Sequence, residues 1–232
     1  MEKILLITPT YNESANIQKF IDSAKGFEEV DLLVVDDNSP DGTADIVIAN
    51  MRKNKKLYLI SRTGKLGLGT AYLEGFEWFL NSNYDFCVQM DCDFSHSFED
   101  LLKLLEFRSN ADLVIGSRYV SGGSTKGWST YRRLLSKYAN ILSKSILRSS
   151  INDLTGGFKI LSREVIKEIV KSKPSSNGYT FQIEVNSFIE RKKFKTIEVP
   201  ITFVEREFGK TKMNNQIVVE AIIFLLKKII NK

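Results

Sequence analysis

Histidine and cysteine are almost missing from this chain, with one histidine and two cysteines among 232 residues. Cys87 and Cys92 cannot support a disulfide scaffold, and their scarcity suits a reducing compartment. A lone histidine, His96, without a cysteine cluster leaves no basis for a structural zinc site. No Gly-x-Ser-x-Gly elbow accompanies it, so a nucleophilic triad is unsupported, and His96 reads as a supporting residue rather than a catalyst. No stretch reaches the ~20 uncharged apolar residues of a transmembrane helix. Residues 1–3 are too few to form a signal peptide ahead of the first apolar run. Fixed-period repeats and low-complexity linkers are absent as well. Signatures of helix-turn-helix, zinc-finger and RNA-binding domains are missing, so nucleic acid is not an expected partner.

What is present is a chain with 43% hydrophobic residues, enough to bury one α/β core. Its net charge of +5 suits a nucleotide, a phosphorylated substrate or an anionic membrane surface. Apolar runs at 4–8, 31–35, 57–60, 84–90 and 113–115 read as strands, and 196–203 as a last one. Between them, residues such as Ile17, Phe20, Ile21 and Ala24 recur at helical spacing. Strands alternating with helices predict a mainly parallel sheet flanked by helices. Ligands of such sheets sit beyond the carboxyl ends of the strands. Polar clusters follow the strands at that end: 11–13, Asp36-Asp37, 62–69, Asp91-Cys92-Asp93 and Arg118.

Asp91 and Asp93 close the strand at 84–90, and an extended chain would put both on one face. Two hard oxygen ligands there suit Mg²⁺ or Mn²⁺, above all when phosphates complete the shell. The familiar phosphate loops do not fit. A dinucleotide fingerprint would need glycine where Tyr72 stands, and Gly209-Lys210-Thr211 lacks its first glycine at Val204. Lys65, among glycines at a helix start, can still approach a phosphate. A carboxylate–metal pair with arginines nearby suits activation of a phosphorylated leaving group.

These residues carry a resemblance. Pro9-Thr10-Tyr11-Asn12-Glu13, Asp36-Asp37-Asn38-Ser39-Pro40-Asp41-Gly42-Thr43 and Met90-Asp91-Cys92-Asp93-Phe94-Ser95-His96 resemble the family 2 glycosyltransferases of GT-A fold. Arg62-x-x-x-Lys65-x-Gly67-Leu68-Gly69, Gly116-Ser117-Arg118-Tyr119, Gly178-Tyr179-x-Phe181-Gln182 and Glu205-Arg206-x-x-Gly209-x-x-Lys212 are similar to the dolichol-phosphate mannosyltransferases within it. The sequence departs from that pattern at Thr211, where serine is usual, and at Lys159, where arginine is common.

The resemblance implies a GT-A domain over 1–213 and an amphipathic, membrane-interfacial helix over 214–232. It implies that Pro9, Tyr11, Glu13, Val35 and Asp37 hold the nucleoside, with Lys65 and Cys92 also at the donor. Asp91, Asp93 and Ser95 would hold the metal. Arg118 would lie beside the reacting phosphates, Arg132 and Ser136 at the acceptor phosphate, and Arg206 and Lys212 over the donor. Asp93, Arg118 and Arg132 are the catalytic candidates. The implied reaction is inverting transfer of mannose from GDP-mannose to dolichol (polyprenyl) phosphate. Transfer of glucose from UDP-glucose is the alternative enzyme, and a non-catalytic nucleotide-sugar-binding protein the alternative class. The implied location is peripheral, on the cytoplasmic face of the endoplasmic reticulum or of a prokaryotic cell membrane, with room for a small membrane-anchoring subunit.

Two segments bear on that surface. A basic, aromatic helix expected over 128–148 is either an ordinary surface helix or a membrane contact. The tail at 217–230 is apolar nearly all round, but Glu220, Lys227 and Lys228 would each cost about 2.5–3.5 kcal/mol near a bilayer centre. Its terminal lysines and a lipid acceptor favour an interfacial helix, with a buried C-terminal helix the alternative.

Overall fold

The computed structural model describes residues 2–176, 178–206 and 224. The expected interfacial helix at 214–232 lies outside them, apart from Phe224, which is half-buried against the core.

Seven strands form the main sheet: β1 (Ile4–Thr10), β2 (Val30–Asp36), β3 (Leu57–Ser61), β4 (Phe86–Gln89), β5 (Leu113–Ser117), β7 (Lys159–Ser162) and β8 (Thr196–Pro200). Their spatial order is β3-β2-β1-β4-β7-β5-β8. All neighbours are parallel except β7, which runs antiparallel to β4 and β5. Two short strands, β6 (Ser124–Lys126) and β9 (Thr202–Val204), pair in parallel beside it.

Alternation along β1 explains the layers. Ile4 and Leu6 pack with Ile17, Phe20 and Ile21 of α1 (Ser14–Ala24), Val47 of α2 (Thr43–Met51) and Leu101, Leu104 and Leu105 of α4 (Phe98–Leu105). Leu5 and Ile7 point the other way, onto Ala71, Tyr72, Phe76 and Phe79 of α3 (Leu68–Leu80). The same layer holds Val165, Ile166 and Ile169 of α6 (Arg163–Ser172) and Phe181, Ile183, Val185 and Ile189 of α7 (Gly178–Arg191). A strand buried on both faces must be apolar throughout, which is how β1 reads. The remaining long helix, α5 (Thr130–Leu147), lies beyond the sheet's carboxyl end.

Two strand expectations change. The run at 84–90 shortens to Phe86–Gln89, because its antiparallel partner β7 begins at Lys159, opposite Gln89. Asp91, Cys92 and Asp93 therefore leave the sheet in a turn, and extended geometry is not what brings the two carboxylates together. The run at 196–203 divides at Ile201, whose N–H donates to Ser117 O (3.1 Å) while its carbonyl accepts from Ser124 (2.9 Å). That one residue ties the small sheet to the large one.

Candidate active site

Consecutive strands walk outward from β1 through β2 to β3, and the chain then returns to place β4 on β1's other side. The carboxyl ends of β1 and β4 thus flank the point where strand order reverses, the usual crevice of an open α/β sheet. The loops leaving β1 and β2 are knitted together there. Asp36 accepts from Thr10 Oγ1 (2.7 Å) and from the Ser39 N–H (2.8 Å), and Ser39 Oγ in turn accepts from the Asn12 N–H (3.0 Å). Asp41 accepts from the Ser14 and Thr43 N–H groups at 2.9 and 3.1 Å, so one carboxylate satisfies the first N–H of both α1 and α2.

A cavity of about 230 Å³ opens on this rim. Pro9, Tyr11, Glu13, Asp37, Lys65, Asp91, Cys92, Asp93, Arg118 and Arg206 all line it, and each was expected at the site. Thr10, Thr155, Gly156, Gly157, Gln182 and Phe203 join them without having been singled out. A larger cleft, about 630 Å³, lies around Tyr58, Trp78 and Tyr84 at the amino ends of the strands, away from every one of these residues.

On the β2–β3 side, Asp37 is a hub. It takes Arg62 in a buried ion pair and accepts from the Leu66 and Gly67 N–H groups at 3.1 Å each. Arg62 also reaches Glu74 (2.9 Å) and Thr70 Oγ1 (2.7 Å), which fixes the loop to the first turns of α3. The loop sets Lys65 Nζ 4.3 Å from the Tyr11 ring centre, a cation on an aromatic face at the cavity wall. Gly67 has φ +100°, open to glycine but not to other residues. A β-carbon on Gly69 would lie 2.6 Å from Ser176 O and 2.9 Å from the Phe181 ring. We expect Gly69→Ala to push α3 off α7 and cost about 1–3 kcal/mol. A melting curve checks this, and an unchanged midpoint would contradict it.

The carboxylate turn is held from both sides. Tyr72 is buried and hydrogen-bonds Asp91; burial, then the Asp91 charge, pushes its phenol up and keeps it protonated. Asp93 accepts from the Ser95 N–H (3.0 Å) and is paired with Arg206 (3.3 Å). The turn carries Phe94 at φ +58°, a left-handed conformation that costs a bulky residue of order 1 kcal/mol or more. Phe94 is kept there edge-on to Phe20 (6.0 Å) and beneath Lys19 (4.7 Å). His96 stacks on Phe158 (4.7 Å) and meets Phe203 edge-on (5.1 Å). Burial outweighs the nearby Asp93 and pushes its pKa down to about 4, so it is a neutral ring at pH 7. Ser95 Oγ and His96 Nδ1 are buried and lack a hydrogen-bond partner among the described residues.

Arg118 forms the wall opposite. Asp153 accepts from its N–H (3.0 Å), Nε (2.8 Å) and Nη2 (2.7 Å), and Thr155 Oγ1 accepts a further Nη2 bond (2.7 Å). Burial alone would raise the Asp153 carboxyl, but the Arg118 charge and bonds prevail and hold it below the usual carboxylate range. Asn140 of α5 donates to Thr155 Oγ1 (3.0 Å) and accepts from its N–H (3.2 Å). Ser136 of α5 accepts from the Tyr119 hydroxyl (2.7 Å). Arg132, one turn earlier, lies 4.4 Å over the Trp128 ring and pairs with Glu205 (2.6 Å).

Four expected residues stand apart from the cavity wall. Strand alternation turns the Val35 side chain into the core against α3, so only its main chain can face a ligand. Ser95 is buried behind the wall, and Arg132 and Ser136 lie past Arg118. Lys212 falls outside the described residues. Glu184 of α7 does not line the cavity either, and accepts from the Ser176 N–H (3.0 Å). The partner of Arg118 went unnoticed in the sequence, although Asp153 sits in an Asn-Asp-Leu-Thr-Gly-Gly turn whose density of polar residues resembles that of the other site loops.

Lys159 is fully buried behind this wall, with Asn186 Oδ1 2.5 Å from its Nζ. Burial, opposed by Asp153, pushes its pKa down to about 7. A folded pKa below the unfolded value near 10.4 means that the unfolded chain binds more protons between those limits. Stability from this group therefore rises from pH 7 toward 10. We expect Lys159→Met to melt about 5 °C higher than the parent at pH 7, with the gap closing toward pH 10. A gap independent of pH would contradict a buried, titrating lysine.

The family described as Glycosyl transferase family 2 matches residues 5–170. A polyprenol monophosphomannose synthase of Mycolicibacterium smegmatis is 41% identical over 227 residues, covering 95% of this chain and 84% of that protein. An undecaprenyl-phosphate mannosyltransferase of Micrococcus luteus is 40% identical over 222 residues, covering 95% and 91%. Among solved structures, glucosyl-3-phosphoglycerate synthase from Mycobacterium tuberculosis, in complex with Mn²⁺, UDP and glucosyl-3-phosphoglycerate, superposes with a TM-score of 0.70 at 20% identity. It covers 98% of this chain and 80% of the other, a likeness of fold. With its α/β architecture, its rim of strand-end loops and these relatives, the chain belongs to glycosyl transferase family 2 and is a glycosyltransferase.

Proposed function

We propose that this glycosyltransferase moves mannose from GDP-mannose to dolichol phosphate or another polyprenyl phosphate, with inversion at the anomeric carbon. The observation that carries the reading is the convergence of Asp91, Asp93, Arg118 and Arg206 on one cavity, in a chain 41% identical to a polyprenol monophosphomannose synthase. Pro9, Tyr11, Glu13, Asp37 and the main chain of Val35 surround the nucleoside in this reading, and Lys65 approaches the phosphates. Arg206 and Lys212 close over the donor. Arg118, Arg132 and Ser136 receive the acceptor phosphate.

The donor set suits a divalent ion. Asp91 and Asp93 offer hard oxygens, and the unpartnered Ser95 hydroxyl lies beside them, but no group of three carboxylate, histidine or cysteine ligands exists among the described residues. Such a pair holds Mg²⁺ or Mn²⁺ well only when diphosphate oxygens complete the shell. Bound there, the ion would neutralise charge on the departing diphosphate.

The chain's own residues supply the rest. An acceptor phosphate is already anionic near pH 7, so no strong base is required. Its oxygen bonds to the anomeric carbon as the bond to the donor diphosphate breaks, and the product is a β-linked mannosyl phosphate. Arg118 is preorganised for this step, because Asp153 and Thr155 fix its guanidinium before any ligand arrives. NMR of the product tests the stereochemistry: a β-anomer is expected, and an α-anomer would overturn single displacement.

A lipid acceptor calls for a membrane surface, and α5 supports that part of the reading. Its inward face is polar, with Ser136, Asn140 and Ser143 buried. Its outward face is apolar, with Tyr131, Leu134, Tyr138, Ile141 and Leu142 exposed in one stripe. The exposed cations Arg133 and Lys137 complete an interfacial pattern. No helix among the described residues is long and apolar enough to cross a membrane. The α5 stripe and the lipid acceptor support peripheral attachment, which this reading sets at the cytoplasmic face.

A further inference from the structure

Arg132 holds an incomplete set of partners. Its guanidinium is stacked on Trp128 and only 16% of its side chain is exposed, yet among the described residues a single ion pair, to Glu205 Oε1, serves it. Among the described residues, Arg132 Nε and the Trp128 indole N–H are both buried without an acceptor. Two adjacent orphaned donors beside a cation are what a larger anion would satisfy.

Glu205 is the movable member of the pair. Its N–H bonds Lys126 O (2.9 Å), so the backbone continues the β6–β9 ladder and stays fixed. Its side chain is 38% exposed and rests beside Gly127, where a β-carbon would approach Glu205 Cβ to 2.9 Å. The next residue, Arg206, reaches the opposite way to Asp93. One dipeptide thus touches both halves of the site, its anion on the acceptor side and its cation on the donor side.

We propose that Glu205 is a built-in occupant of the acceptor's anion site, displaced from Arg132 when the acceptor phosphate binds. The inference rests on the assignment of Arg132 to that phosphate. A carboxylate carries one charge and here engages one N–H. A phosphate monoester carries about −1.5 to −2 at pH 7 and three acceptor oxygens, enough for Arg132 Nη1, Arg132 Nε and the Trp128 N–H together. Competition with an internal carboxylate therefore favours phosphate monoesters and rejects carboxylates and alcohols, which gain nothing by the exchange. Glu205 acts on specificity through Arg132 and makes no bond to the transferred sugar.

The test compares acceptor KM for a water-soluble, short-chain isoprenyl phosphate in the parent, Glu205→Gln and Arg132→Ala. Glu205→Gln is expected to lower acceptor KM about fivefold, the scale of one partly exposed ion pair. Inorganic phosphate should inhibit it more strongly than the parent, while donor KM stays within about twofold. An acceptor KM that is unchanged or higher in Glu205→Gln overturns the proposal. Arg132→Ala should raise acceptor KM. If it does and Glu205→Gln fails to lower it, displacement is wrong and the acceptor assignment stands; if Arg132→Ala changes nothing, both fall. Glu205→Ala, read by calorimetric titration with inorganic phosphate, must tighten phosphate binding as well, and weaker binding would count against displacement independently of turnover.

Discussion

Asp91→Asn/Asp93→Asn should remove at least about 10³-fold of sugar transfer while leaving the chain folded. The fold survives because asparagine can still accept from the Tyr72 hydroxyl at position 91 and from the Ser95 N–H at position 93. What disappears is the paired negative charge that a divalent ion requires, and with it the counter-charge that Arg206 now finds on Asp93. The reading separates from simple loss of stability if melting and transfer are measured on the same preparation. A folded double variant without activity is expected. Full turnover would show that these carboxylates do not hold the metal.

The second large effect falls on a residue with no expected contact to either substrate. Asp153 is completely buried and receives three hydrogen bonds from Arg118. Replacing it with leucine leaves the guanidinium buried and uncompensated, a loss of about 3–5 kcal/mol. For a chain of this length that is a fall in melting temperature of about 10 °C. Activity should fall further than stability, because Arg118 loses the two parallel bonds that orient it. Replacing Arg118 and Asp153 together with leucine should recover much of the stability and none of the activity. The pH dependence follows from the sign of the shift. Asp153 titrates lower folded than unfolded, so its contribution is complete above the unfolded value near 4 and is lost as pH falls through the folded value. The gap between the parent and Asp153→Asn should therefore narrow in acid. A gap that widens would mean the carboxylate is not the stabilising form.

Much of the site was readable because β strands declare their carboxyl ends. Apolar runs that stop abruptly at Pro9, Asp36, Arg62 and Asp91 place those residues on one rim once a parallel sheet is assumed. What stayed hidden was pairing across distance and direction. The four residues of β7, Lys159 to Ser162, would suit a strand of either direction, and nothing local says they run antiparallel. Arg62 and Asp37 lie 25 positions apart, and Arg118 and Asp153 lie 35 apart, so neither ion pair leaves a periodic trace. In α5 the period is plain, but periodicity tells which residues share a face and not which face turns inward. Hydrophobicity would have buried Leu134 and Ile141, whereas the structure buries Ser136 and Asn140, because Tyr119 and Thr155 offer them hydrogen bonds. Val35 shows the same limit from the other side. It is expected among the nucleoside contacts, and its place in β2 sends the side chain into the core, which leaves only its main chain for that role.

The central claim is mannosyl transfer to a polyprenyl phosphate. Its most direct test supplies purified protein with Mg²⁺ or Mn²⁺, a polyprenyl phosphate in anionic vesicles, and either GDP-mannose or UDP-glucose. A mannosylated lipid phosphate from GDP-mannose, with no product from UDP-glucose, is the result this account predicts. Transfer of glucose from UDP-glucose with GDP-mannose inert would contradict it, keeping the fold and the carboxylate turn but assigning a different sugar to the cavity.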